Sequence, residues 1–271
     1  MKTKKYIYVG ALAAAFLLGS CSDDFLKVEN PSGEPLDEYY TTDAHLQESV
    51  TAAYDPLHWP DWDGTAYNAL NIDAEIMGDD FFPGGGSITD NQHWHKLFNF
   101  EGDGNNTLST LWGDFYSGIK RCNDVLTYCA YDANKGNSNL PTYIEQARLL
   151  RVYYYNILWH YYGDIPFYLT NLSSPYQADQ ISADKVYENL IAEMEDILKN
   201  NVLPMRWDDA NAGRVSKAFA YMLYAELVMY QNDTQRYPQA LAYMKEIINS
   251  KDYRLMSNFA DIWKESGERG S

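Results

Sequence analysis

Positive charge is scarce in this chain. Among its 271 residues, 21 lysines and arginines stand against 38 aspartates and glutamates, for a formal net charge of −17. A surface of that sign repels phosphate groups, whether they belong to nucleic acid or to anionic lipid headgroups. Both are therefore poor partners for this protein. Removing the first 20 residues would take away three lysines and no acids, and would make the balance more acidic still.

Cysteine is scarce too, with three in the chain. Cys122 and Cys129 lie seven positions apart in a segment with helical spacing, where two turns rise roughly 10.5 Å. A disulfide needs Cα atoms within roughly 7 Å of each other. The two residues are therefore predicted to be small buried side chains and not a disulfide.

The sequence also lacks the common catalytic motifs. It has no G-x-S-x-G elbow, no His-Glu-x-x-His helix, no Walker loop and no paired-cysteine zinc motif. The best enzymatic alternative is a glycoside hydrolase in which Asp79, Asp80 or Asp90 pairs with a distant acid, roughly 5 to 9.5 Å away. In so acidic a chain, adjacent aspartates are far more often solvated or capping groups. We therefore predict that the protein is not an enzyme.

Metal-ligating patterns are equally weak. His93 and His95 could ligate a transition metal, but third and fourth ligands are not evident. Asp61, Asp63 and Asp73 could help to hold a hard cation, although no EF-hand spacing is present. The sequence predicts no cofactor, with calcium as the alternative left open.

The N-terminus has the pattern of an export signal. Three lysines precede an apolar stretch, Tyr6 to Leu18, that is too short to span the roughly 30 Å hydrocarbon core of a bilayer. The segment Leu18 to Cys21 then resembles the lipobox of bacterial lipoproteins, in which the cysteine is diacylated and becomes the new N-terminus. Residues 1–20 are predicted to be a cleaved signal peptide, and Cys21 to carry the lipid anchor.

The residues after the lipobox predict where the protein resides. Ser22, Asp23 and Asp24 resemble the signal that sends some lipoproteins to the outer membrane of Gram-negative bacteria, facing the exterior. Residues 21–40 hold prolines and a glycine among polar groups, a composition that favours a tether over a helix. The globular domain is predicted to span residues 41–271.

After the tether, regular two-residue alternation is hard to find, whereas apolar residues recur at helical spacing in one segment after another. The fold class is therefore predicted to be all-α, with long irregular loops. Gly163 is expected to end the third helix with a left-handed residue. The predicted helices begin at Thr42 or Asp43, near Leu108, at about Thr142, behind Ser182 and behind Ser216.

The last two predicted helices resemble the helix-turn-helix of a tetratricopeptide repeat. Their apolar residues are Ala225, Val228 and Met229 in one and Tyr237, Ala240, Leu241, Met244, Ile247 and Ile248 in the other. One such pair cannot bury its apolar faces alone, so several are expected to stack. Because no polar-faced closing helix follows, the 271-residue form is expected to be marginally stable or prone to aggregate.

One stretch, Trp59 to Asn106, is predicted to be a single long irregular segment. Loops beyond about 12 to 15 residues are usually functional or disordered, and the aromatics here argue against disorder. Flat aromatic faces beside carboxylates and amides suit a sugar or peptide platform, although such rings could equally plug the repeat stack. The candidate ligand contacts are Trp94 first, followed by Asp79, Asp80, Asn91, Trp59 and Trp62.

Four blocks of sequence follow the lipobox in a characteristic order. They are Trp112 to Asn123, Glu145 to Tyr154 running into Tyr162-Gly163-Asp164-Ile165-Pro166, Leu203-Pro204 with Gly213 to Ala218, and Tyr253 with Leu255. Together they resemble the SusD-like (RagB-like) outer-membrane lipoproteins, a family named for starch binding. Family members are longer than this chain, so the C-terminal half of the family is expected to be absent.

The residues that carry the resemblance are predicted to be scaffold and not ligand contacts. Arg148 can pair with Glu145 at i,i+3 on a helix. Arg151 is expected on a different face, where it could bond helix ends or carboxylates of the stack. Gly163 and Gly213 are expected to serve backbone conformation and not a phosphate loop.

What the resemblance implies is a cell-surface lipoprotein that captures an oligosaccharide. It would act as the lid of a SusC-like, TonB-dependent transporter in the outer membrane, with no bond-breaking step. The family's glycan site would be built partly from the N-terminal region and partly from the absent half. Two alternatives stay open: the same lid role with a peptide as cargo, and a glycoside hydrolase on an α/α scaffold.

Overall fold

The computed structural model describes residues 33–61, 70–78, 80–104 and 109–264. The chain divides into two compact units, residues 1–39 and 40–271. In the first unit, helix α1 spans Leu36–Tyr39, within the segment whose composition favours a tether. It forms because the Pro35 carbonyl accepts hydrogen bonds from the next turn, and because two acids complement the positive end of the helix dipole.

The second unit consists of helices joined by turns and short irregular segments. They are α2 Asp43–Tyr54, α3 Leu70–Met77, α4 Gln92–Phe98, α5 Ser109–Cys129, α6 Leu140–Tyr162, α7 Ala183–Asn200, α8 Lys217–Tyr230 and α9 Tyr237–Ser250. Strands β1 (Ile165–Pro166) and β2 (Gln180–Ile181) pair antiparallel, with Ile165 opposite Ile181. The all-α prediction is confirmed.

The helices begin at the predicted caps. A side-chain oxygen of Thr42, Ser182 and Ser216 accepts a hydrogen bond from the backbone N–H three residues later, at 3.3, 3.4 and 3.2 Å. Each bond satisfies a donor that the first helical turn leaves unpaired. Gly163 ends α6 with a φ of 70°, and Gly213 has a φ of 89° before α8. Both glycines therefore serve backbone conformation, as predicted.

The helices from α5 to α9 form the stack, in which each packs on the next one along the chain, and α2 packs on α5 and α6. Helices α8 and α9 form the predicted tetratricopeptide-like pair. Between them, the rings of Tyr221 and Tyr243 stack with centroids 4.2 Å apart and planes 10° apart. On the outer side of α9, Leu241 and Ile248 are exposed.

Buried tyrosines fill the middle of the stack, and their hydroxyls have partners. The Tyr154 hydroxyl donates to the Ala53 carbonyl at 2.7 Å, and the Tyr155 hydroxyl donates to the Tyr168 carbonyl at the same distance. Because each ring is buried with its polar atom satisfied, these residues add apolar burial without an unpaired group. Cys122 and Cys129 are buried free thiols of α5.

A buried ion network joins α6 to α7. Arg148 bonds Glu193 at 2.8 Å and its predicted partner Glu145 at 3.1 Å. Arg151 bonds the same Glu193 at 3.0 Å and the Asn123 side chain at 2.6 Å. Burial raises the pKa of Glu193, but hydrogen bonds from the two arginines outweigh it and hold that pKa below its usual value. The scaffold role is confirmed, whereas the prediction of different faces was wrong, because one carboxylate bridges both guanidinium groups.

The predicted long irregular segment contains two helices, and that prediction was wrong in part. Helix α3 buries Asp73 and Ile76, and α4 buries His95 and Leu97. Each helix has about two turns and buries two residues, so its periodicity is too brief to stand out among the surrounding glycines, aspartates and asparagines. Tertiary packing, and not local pattern, stabilises such short helices.

Candidate functional site

Helices α3 and α4 are joined by a hydrogen bond between two polar atoms that face each other. The Trp94 indole Nε1 donates to Oδ1 of Asp73 at 3.1 Å. Asp73 is fully buried, and Trp94 is half-buried against the core. The bond links the two short helices to each other.

Asp73 is an unusual carboxyl group. Its second oxygen, Oδ2, is buried without a hydrogen-bond partner. Burial raises its pKa from 3.8 to about 7, and the bond from Trp94 offsets only part of that rise. The group therefore exchanges its proton near neutral pH, and the protonated form is favoured where water is excluded.

The candidate functional site is a cleft of about 410 Å³ between α3, the segment after α4 and the end of α6. We call it the first cleft. It is lined by Met77, Leu97, Phe100, Gly102, Asp103, Gly104, Tyr161 and Tyr162. Three aromatic rings beside one carboxylate give it flat apolar faces with a hydrogen-bond acceptor, which is the chemistry that a sugar ring requires.

Phe100 holds the most unusual backbone position of this cleft. It follows α4 with a φ of 56°, while the Phe100 N–H bonds the Leu97 carbonyl and the Glu101 N–H bonds the Lys96 carbonyl. These two bonds form the Schellman pattern, whose left-handed position glycine usually occupies. A phenylalanine there is strained, and the residue is 75% exposed. Backbone strain of this kind is often found at functional sites.

The structure describes four of the six predicted ligand contacts, namely Trp94, Trp59, Asp80 and Asn91. Trp59 lies under the guanidinium of Arg121, 4.9 Å from its ring centroid. Asp80 and Asn91 are exposed, and Asn91 precedes α4 with a φ of 51°. Trp62 and Asp79 lie outside the described residues. Among the described residues that line the first cleft, none is one of the six predicted contacts, which remain predictions.

The residues weighed for chemistry also have structural partners. Asp90 accepts a hydrogen bond from the Gly86 N–H at 3.1 Å and so holds the turn before α4. The His95 ring is buried and meets Phe82 edge-on at 5.9 Å. Within residues 33–61, 70–78, 80–104 and 109–264, no group of three histidine, cysteine or acidic side chains is placed to hold a metal.

Sequence reasoning missed the residues that line the first cleft. Tyr161 and Tyr162 belong to a helix that is aromatic nearly all round, which predicted burial, yet they are only partly buried at its end. Phe100 stands two positions after Phe98, at the start of a segment of acids, glycines and asparagines. The left-handed position of Phe100 could not be read from the sequence, because the end of α4 was not among the predicted helix ends.

The fold and the cleft define a class, helical-repeat proteins with an aromatic-lined cleft. Within that class, the model of a SusD-like family, described as starch-binding and associating with the outer membrane, matches residues 24–229. The chain belongs to this SusD-like family. SusD-like glycan-binding proteins are generally non-catalytic. No helix in the described part of the chain is long and apolar enough to cross a membrane.

Individual relatives agree with the family. SusD-like protein P2 of Formosa agariphila is 27% identical over 280 residues, covering 98% of this chain and 51% of the relative. The chain is similar to surface glycan-binding protein A from Bacteroides uniformis, with 56% identity, a TM-score of 0.80, and coverage of 84% of this chain and 50% of that one. The chain thus spans about half the length of the relatives it matches.

A further solved structure contains a ligand. Surface glycan-binding protein A from Bacteroides thetaiotaomicron, in complex with laminarihexaose, is 49% identical to this chain with a TM-score of 0.78. The match covers 84% of this chain and 47% of that one. About half of the aligned residues are therefore identical, so the similarity is not limited to the fold.

Proposed function

We propose that this protein captures oligosaccharides at the bacterial cell surface, with the first cleft as part of the binding surface. The observation that carries the proposal is the 49% identity to a surface glycan-binding protein solved with laminarihexaose. As a SusD-like protein, it would act as the lid of a SusC-like, TonB-dependent transporter and pass the glycan to it without breaking a bond.

The geometry of the first cleft supports a neutral, amphipathic ligand. Phe100 and two tyrosines offer ring faces, while Asp103 and the glycine backbone offer hydrogen-bonding groups. A pyranose has an apolar face and a rim of hydroxyls, and therefore fits both. The strongly acidic surface disfavours an anionic ligand.

Isothermal titration of the chain with laminarihexaose tests the proposal, and Phe100→Gly is the informative variant. Glycine relieves the left-handed strain, so the free energy of unfolding should rise by about 1 kcal/mol. Loss of the ring should weaken binding about tenfold, near the low end of the value of a well-packed aromatic contact. Greater stability with weaker binding separates a ligand contact from a folding role.

Lys251→Gly is the matched control. Lys251 also has a left-handed conformation, with a φ of 59°, and it follows α9 at the other end of the domain. This variant should gain stability and bind laminarihexaose as the unaltered chain does. If Phe100→Gly keeps full affinity, the first cleft is not the binding surface.

The rival functions give different outcomes in the same titrations. Binding of a mixed peptide panel with no response to any oligosaccharide would favour peptide cargo. New reducing ends after long incubation with glycans would show a hydrolase, whose acids would then be sought around Asp80 and Asp90. Neither result is expected.

The lipid anchor is a separate part of the proposal and lies outside the described residues. Cys21→Ala should prevent acylation and release the protein from the membrane fraction, because the lipobox cysteine is the proposed attachment site. Fractionation after labelling with a fatty acid measures both effects. A variant that stays in the membrane pellet would show that the attachment lies elsewhere.

A further inference from the structure

A second cleft of about 350 Å³ lies between α5 and the segment that connects β1 to β2. One wall belongs to α5 and the other to the connecting segment. The lining residues are Gly113, Tyr116, Ser117 and Lys120 on α5, and Tyr168, Asn171, Leu172 and Tyr176 opposite. None of them belongs to the first cleft.

The wall opposite α5 is irregular backbone, but it is held in place by side chains of the stack. The Tyr116 hydroxyl donates to the Pro166 carbonyl at 2.7 Å. Tyr155 both donates to the Tyr168 carbonyl and accepts from the Tyr168 N–H. A wall fixed in this way is preorganised, so a ligand does not have to order it on binding.

Tyr176 stands at the rim of this cleft in a strained conformation. Its φ is 57° and the residue is 73% exposed. Among the described residues, six other than glycine have a positive φ, and only Phe100 and Tyr176 of these are aromatic. Each of the two lines a different cleft. Left-handed backbone is unfavourable for a bulky aromatic, so both rings are held outward against a conformational cost.

A glycine on the helical wall leaves the cleft open. Gly113 lies in α5, where glycine weakens a helix, yet a Cβ built on it would meet nothing within 4 Å. Gly118 in the same helix has a packing reason, because its Cβ would lie 2.6 Å from the Tyr154 ring. Packing therefore explains Gly118 but not Gly113, whose missing side chain keeps the cleft empty.

The polar groups of the second cleft carry little net charge. Lys120 Nζ bonds Asp124 at 2.7 Å, and the Asn171 side chain donates to the same carboxylate at 2.6 Å. The lysine charge is therefore neutralised beside the cleft. Tyrosine faces with a neutralised ion pair and an amide suit an uncharged ligand that carries many hydroxyls.

We propose that the second cleft is a further carbohydrate site, which takes a neutral sugar unit on the faces of Tyr168 and Tyr176. The inference rests on the proposed function, since it assigns a second place on the protein to the same class of ligand. It adds residues of α5 and of the β1–β2 connection to a binding surface that would otherwise lie at α3 and α4.

Gly113→Leu tests the second cleft without the risk of unfolding. Leucine favours a helix more than glycine, and there is space for its side chain, so the melting temperature should rise. Laminarihexaose is titrated into the full chain carrying Phe100→Gly, which weakens the first cleft, with and without Gly113→Leu. The binding that remains in the single variant should fall about tenfold in the double variant, as expected when one aromatic contact is blocked.

Tyr176→Ala in the same background should give a similar loss. Thr127→Leu, which adds the same side chain to an exposed position of α5, should leave binding unchanged. If Phe100→Gly alone abolishes binding, or if Gly113→Leu and Tyr176→Ala do not alter what remains, the second site is refuted while the proposed function stands. If the unaltered chain binds no glycan, the proposed function itself fails.

Discussion

The helical stack and the rims of the two clefts use aromatic side chains in opposite ways. In the stack, Tyr154 and Tyr155 are buried and their hydroxyls bond backbone carbonyls. At the rims, Phe100 and Tyr176 are exposed on left-handed backbone. The aromatic content of 15% therefore combines two sets of residues with different roles. The first set stabilises the fold, whereas the second set is held outward at a cost to it.

The same contrast applies to the acids. Glu193 is partly buried in the stack between two arginines that lower its pKa, whereas Asp73, near the first cleft, is fully buried with one indole donor and a raised pKa. Both carboxylate oxygens of Glu193 accept hydrogen bonds from arginine, whereas Oδ2 of Asp73 has no hydrogen-bond partner. We therefore expect mutations in the stack to act on folding and mutations near the clefts to act on binding and on pH dependence.

The largest effect should come from the ion network of the stack. Arg151→Met removes one of the two arginines of Glu193, which keeps Arg148, and takes the donor from the buried Asn123 Oδ1 and from the Leu169 carbonyl. It should cost roughly 3 kcal/mol of unfolding free energy. Chemical denaturation measures it. Lys185→Ala, which breaks an exposed pair with Glu188, is the control and should cost less than about 0.5 kcal/mol. Equal losses in the two variants would end the distinction between buried and exposed pairs.

Trp94 is expected to affect both binding and folding, because it is a predicted ligand contact and its indole is the hydrogen-bond partner of Asp73. Trp94→Ala should weaken glycan binding by roughly 1 to 3 kcal/mol. It should also lower the melting temperature, since Asp73 loses its donor. Trp94→Phe keeps a ring but not the donor, so it should lose stability and retain most of the affinity. Unchanged affinity in Trp94→Ala would remove this residue from the binding surface.

Asp73 should make the stability of the protein depend on pH. Its pKa is raised in the folded state, to about 7 from 3.8, so its contribution is fully present below about pH 4 and is lost as pH rises through 7. Asp73→Asn should abolish this dependence, and at pH 8 it should be the more stable protein by an amount on the order of 2 kcal/mol. The Trp94 indole can still donate to the amide oxygen.

Thermal denaturation from pH 4 to 8 compares the stability of the unaltered protein with that of Asp73→Asn. Their difference removes the contributions of groups whose effect on stability has the opposite pH dependence. Glu193 and Asp43 have lowered pKa values, and their contributions are lost as pH falls. A constant difference across the range would show that Asp73 does not titrate there.

The smallest effects concern two glycines of α5. Gly118→Ala forces a Cβ onto the Tyr154 ring and should cost about 1 to 2 kcal/mol. Gly113→Ala meets no atom and should instead gain about 0.5 to 1 kcal/mol through helix propensity. Denaturation midpoints measure both. The same sign in both variants would contradict the contrast between a packed and an open side of this helix.

Much of the stack could be predicted from the sequence, because its signals are local. The Thr42, Ser182 and Ser216 caps and the apolar stripes of the long helices need only neighbours within a few positions of the chain. The four motif blocks likewise indicate the family through their residues and their order along the chain. The pairing of Arg148 with Glu145 is also local, since the two residues lie three positions apart on one helix.

The clefts could not be predicted in this way. Phe100 lines a cleft with Tyr161 and Tyr162 only because the chain after α4 comes near the end of α6, and Tyr176 lines one with Gly113 only because the β1–β2 connection folds back on α5. Helices α3 and α4 are too short to show a period and form because the tertiary structure buries Ile76 and Leu97. The sequence by itself determined the helical class, the family and the scaffold arginines, whereas only long-range packing decided which aromatic rings are exposed and which are covered.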